Sequence, residues 1–262
     1  MFDIRKYCRT YPHTYHKIET TIENNKKYIS NVTEEVFKTG QYNRYTTFEF
    51  IDVISKYVNF DDIKVIFDVG SRDCLQSIEL STWFKKSQIY AFEANPEAHP
   101  TCDRFSQPYD NIHVVKKAVG DKSGKLNFYI SDVNPGSSSI LVVEPKNHTA
   151  WGKQVRDHLV DIVRIDEWCE TNRIDSPDIL WVDVQGYEKE VFRGCERILD
   201  NVKAIQTEVS FGEPDYKNGT MFDDLHSYLE SRDFELVKVF NHISWNGVGE
   251  VDAVYVNRKF KQ

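Results

Sequence analysis

No two cysteines in this chain stand at Cys-x-x-Cys spacing. The five present (Cys8, Cys74, Cys102, Cys169 and Cys195) are scattered and odd in number, which points to neither a zinc site nor a disulfide framework. Reduced thiols in a cytosol-like compartment are the simplest reading. No run approaches the ~18 apolar residues of a membrane span. Met1 to Lys6 carries two basic residues without the apolar stretch of a signal peptide behind them, so a cytoplasmic protein is expected. Basic charge is also short. The net charge is −8, which argues against broad nucleic-acid binding, because that rests on neutralising phosphates with Lys and Arg. Glycine is missing where a dinucleotide site would need it. The turn after the apolar run Val65–Val69 holds Gly70 alone, followed by Ser71, Arg72, Asp73 and Cys74. A pyrophosphate site wants Gly-x-Gly-x-x-Gly, so that bare backbone can approach it.

What is present is a soluble globular composition, 40% hydrophobic and 28% charged over 262 residues. That length suits one large domain or a domain with an appended cap, with a substantial core. Residues 1–60 are rich in Tyr, Thr, Asn and Lys, and take helical apolar spacing from Thr33 through Val36, Phe37, Phe48, Ile51, Ile54 and Val58. A helical cap or lid over the sheet edge is expected there. In 61–262 strands and helices alternate. Strands are expected at Lys64–Val69, Gln88–Phe92, Ile112–Ala118, Ile179–Val184 and Val202–Val209, and helices at about Leu75–Lys85, Pro96–Phe105 and Glu188–Leu199. A short strand, Lys125–Ile130, and a long loop, Ser131–Asp157, interrupt the alternation. The tail reads as helix Met221–Arg232 and then a hairpin, Phe234–Phe240 with Val251–Asn257, turning at Trp245-Asn246-Gly247. The pattern predicts an α/β fold built on a doubly wound, mostly parallel sheet that ends in an antiparallel hairpin.

The first strand ends in Asp68-Val69-Gly70 and the second in Phe92-Glu93, one βα unit later. Acids at two strand ends around a tight turn build a nucleoside pocket at the carboxyl edge of a parallel sheet. Side chains of Ser71, Arg72 and Asp73 fill the space that a pyrophosphate needs. Asp68 would repel a phosphate yet suits a ligand carrying an ammonium group. S-adenosylmethionine therefore fits better than a dinucleotide. Gly70 supplies backbone freedom in the turn, and Glu93 offers two coplanar acceptor oxygens to the two ribose hydroxyls. The plainer readings are a turn glycine and a solvated strand-end acid.

Six blocks, in this order, make the chain similar to the FkbM family of S-adenosylmethionine-dependent methyltransferases. They are Phe67-Asp68-Val69-Gly70-Ser71, Phe92-Glu93-Ala94-Asn95-Pro96, Ala118-Val119-Gly120-Asp121, Arg164-Ile165-Asp166-Glu167-Trp168, Trp181-Val182-Asp183-Val184-Gln185-Gly186-Tyr187-Glu188 and Glu250-Val251-Asp252-Ala253-Val254. The resemblance covers roughly Val65 to Val256. It implies a class I methyltransferase fold, Rossmann-like, with a seven-stranded sheet, and cofactor contacts at Ala94, Ala118 and Val119 beside those already named. Adenine is expected at Ala118 and Val119, where small apolar side chains let a flat ring stack. The implied activity is O-methylation of a small acceptor, a sugar of a glycan or of a glycosylated metabolite. The chain departs from the family pattern in two places. Arg72-Asp73-Cys74 stands where an Asn and a second Gly are usual, and Gln185 replaces the first Glu of Asp-x-Glu-Gly-x-Glu, which changes the charge near the site.

An alcohol is a poor nucleophile until a base or a metal takes its proton. Asp183 ends the fourth long strand, where it would face the reacting methyl as cofactor neighbour, as base, or as ligand of a cation that acidifies the alcohol. Glu208 ends the next strand at the same edge. Two such acids resemble the arrangement of magnesium-dependent catechol and sugar methyltransferases, and hard oxygen ligands suit Mg²⁺. Asp183 and Glu208 are therefore candidate metal ligands, with Glu208 alternatively binding substrate hydroxyls. Glu188 is a third candidate for the chemistry, although capping a helix dipole would also explain it. From the long loop Ser137, Ser138 and Ser139 could touch cofactor or substrate, with Ser139 taken as the cofactor contact, although a Gly-Ser-rich loop is more often just flexible. His148, His226 and His242 rank below Asp183 as bases, and His226, on a helix, reads as structural. Trp151 and Trp245 could stack on a sugar.

The expected partner is a small-molecule or glycan acceptor, with no nucleic acid, and a homodimer is among the assemblies the sequence allows. Two other classes stay open at this level. One is a non-catalytic cofactor-binding module, suggested by Gln185. The other is a nicotinamide-dependent oxidoreductase, against which the missing glycines count.

Overall fold

The computed structural model describes residues 45–261 apart from 133, 146–152, 211–213 and 245–246. His148, Trp151, Trp245 and residues 1–44 of the expected cap lie outside the described residues, as does the side chain of His242.

Apolar runs make the central strands. Val65–Val69 (β1), Gln88–Phe92 (β2), Ile112–Val115 (β3), Ile179–Val182 (β7) and Ala204–Ser210 (β8) are parallel. Gly247–Asn257 (β10) runs antiparallel to β8 and to Phe234–Ser244 (β9). The order across the sheet is β3-β2-β1-β7-β8-β10-β9. The chain winds outward one way from β1 through β2 and the other way from β7 through β8, so a crevice opens at the carboxyl ends of β1 and β7.

Both faces of the sheet are covered, which is why β7 reads as a continuous apolar run and β1 as one broken only by Asp68, rather than as alternating strands. Side chains alternate across a strand. Phe67, Leu180 and Val182 point to the layer of Ile165–Asn172 (α4), Glu188–Arg193 (α5) and Phe222–Ser231 (α6). Ile66, Ile179 and Trp181 point to the layer of Tyr45–Ile54 (α1), Leu75–Trp83 (α2) and His99–Ser106 (α3). The described end of the expected cap is thus part of the core. Phe50 of α1 is fully buried and meets Trp181 edge-on at 5.3 Å. On the other face Phe67, Tyr90, Phe92 and Trp168 form an aromatic cluster, with Trp168 5.0 Å from Phe92 and 5.5 Å from Phe67. Each such pair contributes about 0.5–1.5 kcal/mol beyond area burial, directly beneath the end of β2.

The structure differs from the sequence expectation after β3. The predicted strand Ile112–Ala118 divides. Ala118–Val119 (β4) leaves the main sheet and pairs with Gln154–Val163 (β6), which also pairs antiparallel with Gly124–Ser131 (β5). The expected loop Ser131–Asp157 overlaps the start of β6, a strand that carries several charged residues. Tertiary partners absorb those charges. Asp161 meets Lys125 at 2.9 Å, and Arg156 forks onto Glu97 at 3.0 and 2.9 Å. Helix α4 is a further element beyond those the sequence pattern predicts. Within it and just before it, the Arg164-to-Trp168 block is a clamp. Arg164 makes bidentate bonds of 3.0 and 2.8 Å to the buried Asp166 and also donates to the carbonyls of Asp121 and Arg193. Helix α5 stops at Arg193 rather than Leu199.

Candidate active site

The crevice holds a cleft with about 610 Å³ of open space, walled by Val69, Gly70, Arg72, Glu93, Val119 and Asp183 among others. Its floor is the ends of β1, β2 and β7, and its roof is the small sheet, through Ala118 and Phe128, together with Pro135, Gly136, Ser138 and Ile140 of the loop after β5.

Gly70 makes the floor tight. Its φ is +88°, and a Cβ there would stand 1.8 Å from the Asp183 carbonyl oxygen. Only glycine allows the ends of β1 and β7 this approach. The turn that follows is tied to β2 by the N–H groups of Gly70 and Ser71, each donating to the Phe92 carbonyl at 3.0 Å. It then presents its next N–H to Glu93. Arg72 N donates to Glu93 Oε2 and Asn95 N to Oε1, both at 2.6 Å. Each carboxylate oxygen keeps one acceptor site, so Glu93 can take two further donors from the cleft. Burial pushes the Glu93 carboxyl up to about 7, against the pull of its two N–H bonds and with the charges of Asp68 and Asp73 adding.

Ala94, Ala118, Val119 and Arg72 line the cleft, as does Ser138 rather than the expected Ser139. Asp68, Ser71, Asp73 and Ser139 do not line it. Asp68 shares the face of Ile66, so its side chain lies against α2 and accepts from Ser77 Oγ at 2.5 Å. Ser139 instead donates to the carbonyl of Gln185 at 2.7 Å. The loop that carries it is folded. Asn134 caps the turn Pro135–Ser137 through Gly136 N at 3.0 Å.

Asp183 lies one residue past β7 and stands in the cleft wall, its N–H bonded to the Val69 carbonyl at 2.9 Å. Glu208 and Glu188 lie behind that wall. Burial pushes the Glu208 carboxyl up, and the nearby charges of Asp183, Glu250, Asp252 and Glu188 add to the effect. Burial likewise pushes Glu188 up to about 8, although its Oε1 accepts from Gly186 N at 2.9 Å. His226 is structural in its contacts, stacked on Phe222 at 5.5 Å.

Sequence reasoning missed Gln185 as a connector, and Tyr216 altogether. Gln185 Nε2 donates to Asp183 Oδ1 at 2.7 Å and to Glu208 Oε2 at 3.0 Å. The buried Tyr216 hydroxyl lies 2.9 Å from Gln185 Oε1. The one sequence signal for Gln185 was its departure from the family pattern; for Tyr216 there was none.

Residues 68–236, more than half of the chain, match the model of the methyltransferase FkbM domain. The chain belongs to the FkbM methyltransferase family. The match lies inside the Val65–Val256 span that carries the motif blocks, and the seven-stranded mixed sheet is the class I methyltransferase architecture expected of this family. Two curated relatives are similar to the chain. The 2-O-methyltransferase NoeI of Sinorhizobium fredii is 31% identical over 153 residues, 56% of this chain and 63% of that protein. The hexuronic acid methyltransferase AglP of Haloferax volcanii is 26% identical over 152 residues, 56% of each. The aligned part thus spans less than two thirds of either relative. Among solved structures, M. capricolum TrmK with S-adenosyl-homocysteine has a TM-score of 0.46 at 9% identity, covering 81% of this chain and 69% of that one.

The residues fit the family's methyl donor. Glu93 has acceptor sites for ribose, and Phe92, Ala118, Val119, Phe128 and Ile140 give the cleft an apolar stretch suited to adenine. They do not fit Mg²⁺. The group between Asp183 and Glu208 is an amide NH₂, which offers donors and no lone pair to a cation. Among the described residues no group of three or more His, Cys, Asp or Glu could hold a metal ion, and no helix is long and apolar enough to cross a membrane.

Proposed function

We propose that this chain transfers a methyl group from S-adenosylmethionine to a hydroxyl of a sugar acceptor, as part of a glycan or a glycosylated small molecule. The observation that carries the reading is the pairing, in one cleft, of a strand-end carboxylate with two open acceptor sites, Glu93, and a second strand-end acid, Asp183, across the floor. The names of the two relatives, a 2-O-methyltransferase and a hexuronic acid methyltransferase, support a hydroxylated sugar acceptor.

When bound, S-adenosylmethionine supplies a methyl on a positively charged sulfur. Glu93 would hold the ribose, and the apolar wall at Val119 the adenine. Asp183 would accept the proton of the attacking hydroxyl, orienting that oxygen towards the methyl at the same time. Orientation of this kind supplies a large share of such a barrier, about 7–11 kcal/mol in well-aligned systems. The small sheet and the Asn134–Ile140 segment roof the cleft and exclude water from part of it.

Titration calorimetry with S-adenosylmethionine, its demethylated product and NAD⁺ tests the cofactor. The first two should bind and NAD⁺ should not. Asp183→Asn should keep that binding and lose turnover on the acceptor. Cofactor binding by the wild type without turnover of any sugar acceptor would favour a non-catalytic module instead. Normal turnover by the variant would remove Asp183 as the base.

A further inference from the structure

Gln185 sits in a backbone conformation that glutamine rarely adopts. Its φ is +57°, and Gly186 follows at +98°. A non-glycine residue in the left-handed region costs about 1 kcal/mol or more, and persists where its surroundings over-determine it. Here they do. Ser139 Oγ donates to the Gln185 carbonyl at 2.7 Å, Thr220 N and Oγ1 donate to the Gly186 carbonyl at 2.8 and 2.9 Å, and Gly186 N donates to Glu188 at 2.9 Å.

The strained turn folds the Gln185 side chain back over the acid two residues before it. Nε2 then reaches both Asp183 and Glu208, at 2.7 and 3.0 Å. The other end of the amide is fixed as well. Tyr216 Oη lies 2.9 Å from Gln185 Oε1 and 3.0 Å from the Ser137 carbonyl. The amide is placed with its nitrogen towards the two acids, the orientation that gives each ionised carboxylate a donor. A magnesium ion needs oxygens about 2.0–2.1 Å away in an octahedron. The space between the two acids is filled by a nitrogen that cannot ligate it.

We infer that Gln185 is a positioning residue, an amide clamp that holds the Asp183 and Glu208 carboxylates in place of a metal ion, and that methyl transfer by this chain is independent of divalent cations. The clamp rests on the activity proposed above for its catalytic consequence, but not for its cation chemistry. An NH₂ group gives two directed hydrogen bonds and no net charge. It fixes where Asp183 points without drawing electrons from the acceptor oxygen, so the acid itself remains the proton acceptor.

The test uses the full chain and two readouts. The first needs no turnover. Magnesium and manganese chlorides are titrated into the wild type, into Gln185→Glu and into Gln185→Met, by calorimetry and by melting temperature. The wild type and the Met variant should show no binding heat and no shift. The Glu variant, with a third carboxylate between the two acids, should melt lower than the wild type and recover on adding either cation. The second readout is turnover on a sugar acceptor. The wild type should keep its rate in EDTA. Gln185→Met should lose about 100-fold in kcat, as displacement of a reacting group by ~1 Å does, with its KM changed by less than about threefold. Saturable binding of Mg²⁺ to the wild type, or a rate abolished by EDTA and restored by Mg²⁺, would overturn the inference. So would a Met variant with full kcat. If no acceptor is turned over under any condition, the proposed activity fails, and the cation titration still decides whether the acid pair is closed to metal.

Discussion

Cofactor affinity should rise with pH through neutrality, and Glu93 is the reason. The ionised carboxylate can accept from the ribose hydroxyls while holding the Arg72 and Asn95 N–H groups at 2.6 Å. The protonated acid has given one of those acceptor sites to its own hydrogen. Burial raises this group from 4.5 to about 7, so protonation competes with binding over a range where most carboxylates are already fully ionised. For a group that titrates near 7, about one tenth is ionised at about pH 6 and about nine tenths at about pH 8. Apparent affinity scales with the competent fraction. The dissociation constant should therefore fall about tenfold across that range, or about 1.4 kcal/mol. The sign follows from the direction of the shift, because a raised acid gains its charge, and with it the ribose bonds, only as pH passes the raised value.

The probe should be methylthioadenosine, which keeps adenine and ribose but has no amino-acid end to titrate on its own. Calorimetry at several pH values gives the profile directly. Glu93→Gln should bind about 10- to 150-fold more weakly at high pH, the range of a lost charge-assisted hydrogen bond of about 1.5–3 kcal/mol. Its amide nitrogen must also face one of the two backbone N–H donors. The variant should have a flat profile. A flat profile in the wild type, or an affinity that falls as pH rises, would refute the assignment of Glu93 to the ribose.

Gly70→Ala should lose on the order of 4 kcal/mol or more, because the added carbon meets backbone 1.8 Å away at a φ of +88°; a melting temperature equal to the wild type's would contradict the close approach of β1 and β7. Glu188→Gln should change how stability depends on pH. Burial raises Glu188 from 4.5 to about 8, so the folded state holds a proton that the unfolded state has released, and wild-type stability falls as pH rises from about 4.5 through about 8. The amide can still accept from Gly186 N and has nothing to titrate. Urea unfolding should find the two proteins differing least in pH dependence below about pH 4.5 and the variant gaining on the wild type by a few kcal/mol by about pH 9. Parallel pH profiles would mean that Glu188 titrates normally.

Much of this protein can be read along the chain. The alternation of strand and helix, the single turn glycine at 70, the acids at 93 and 183 and the antiparallel hairpin at the end all follow from local order. Each depends on neighbours within one βα unit, where periodicity and strand-end position are visible in the residues themselves. The apolar runs of β1 and β7 announce a sheet covered on both faces. The Arg164-to-Trp168 block is equally visible, although as a pattern without a role; the structure makes it a clamp around a buried aspartate.

What local order could not decide is which way a side chain faces and what it meets from far along the chain. Asp68 and Glu93 look alike as strand-end acids. The two-residue repeat of a strand turns Asp68 to the helical layer, where Ser77 holds it, while Glu93, just past the end of β2, opens into the cleft. Strand β6 exists because β5 offers it a ladder and because Glu97 and Lys125 answer its charges, partners that no window of neighbouring residues contains. Gln185 is the clearest case. In the sequence it is one substituted letter in a motif. In the fold, a left-handed backbone, a serine 46 residues earlier and a tyrosine 31 residues later turn that letter into the link between two acids. Sequence determined which chemical groups reach the carboxyl edge of the sheet. Tertiary structure decided which of them share a proton, a ligand or a hydrogen bond, because those contacts depend on distances between residues that the chain itself keeps far apart.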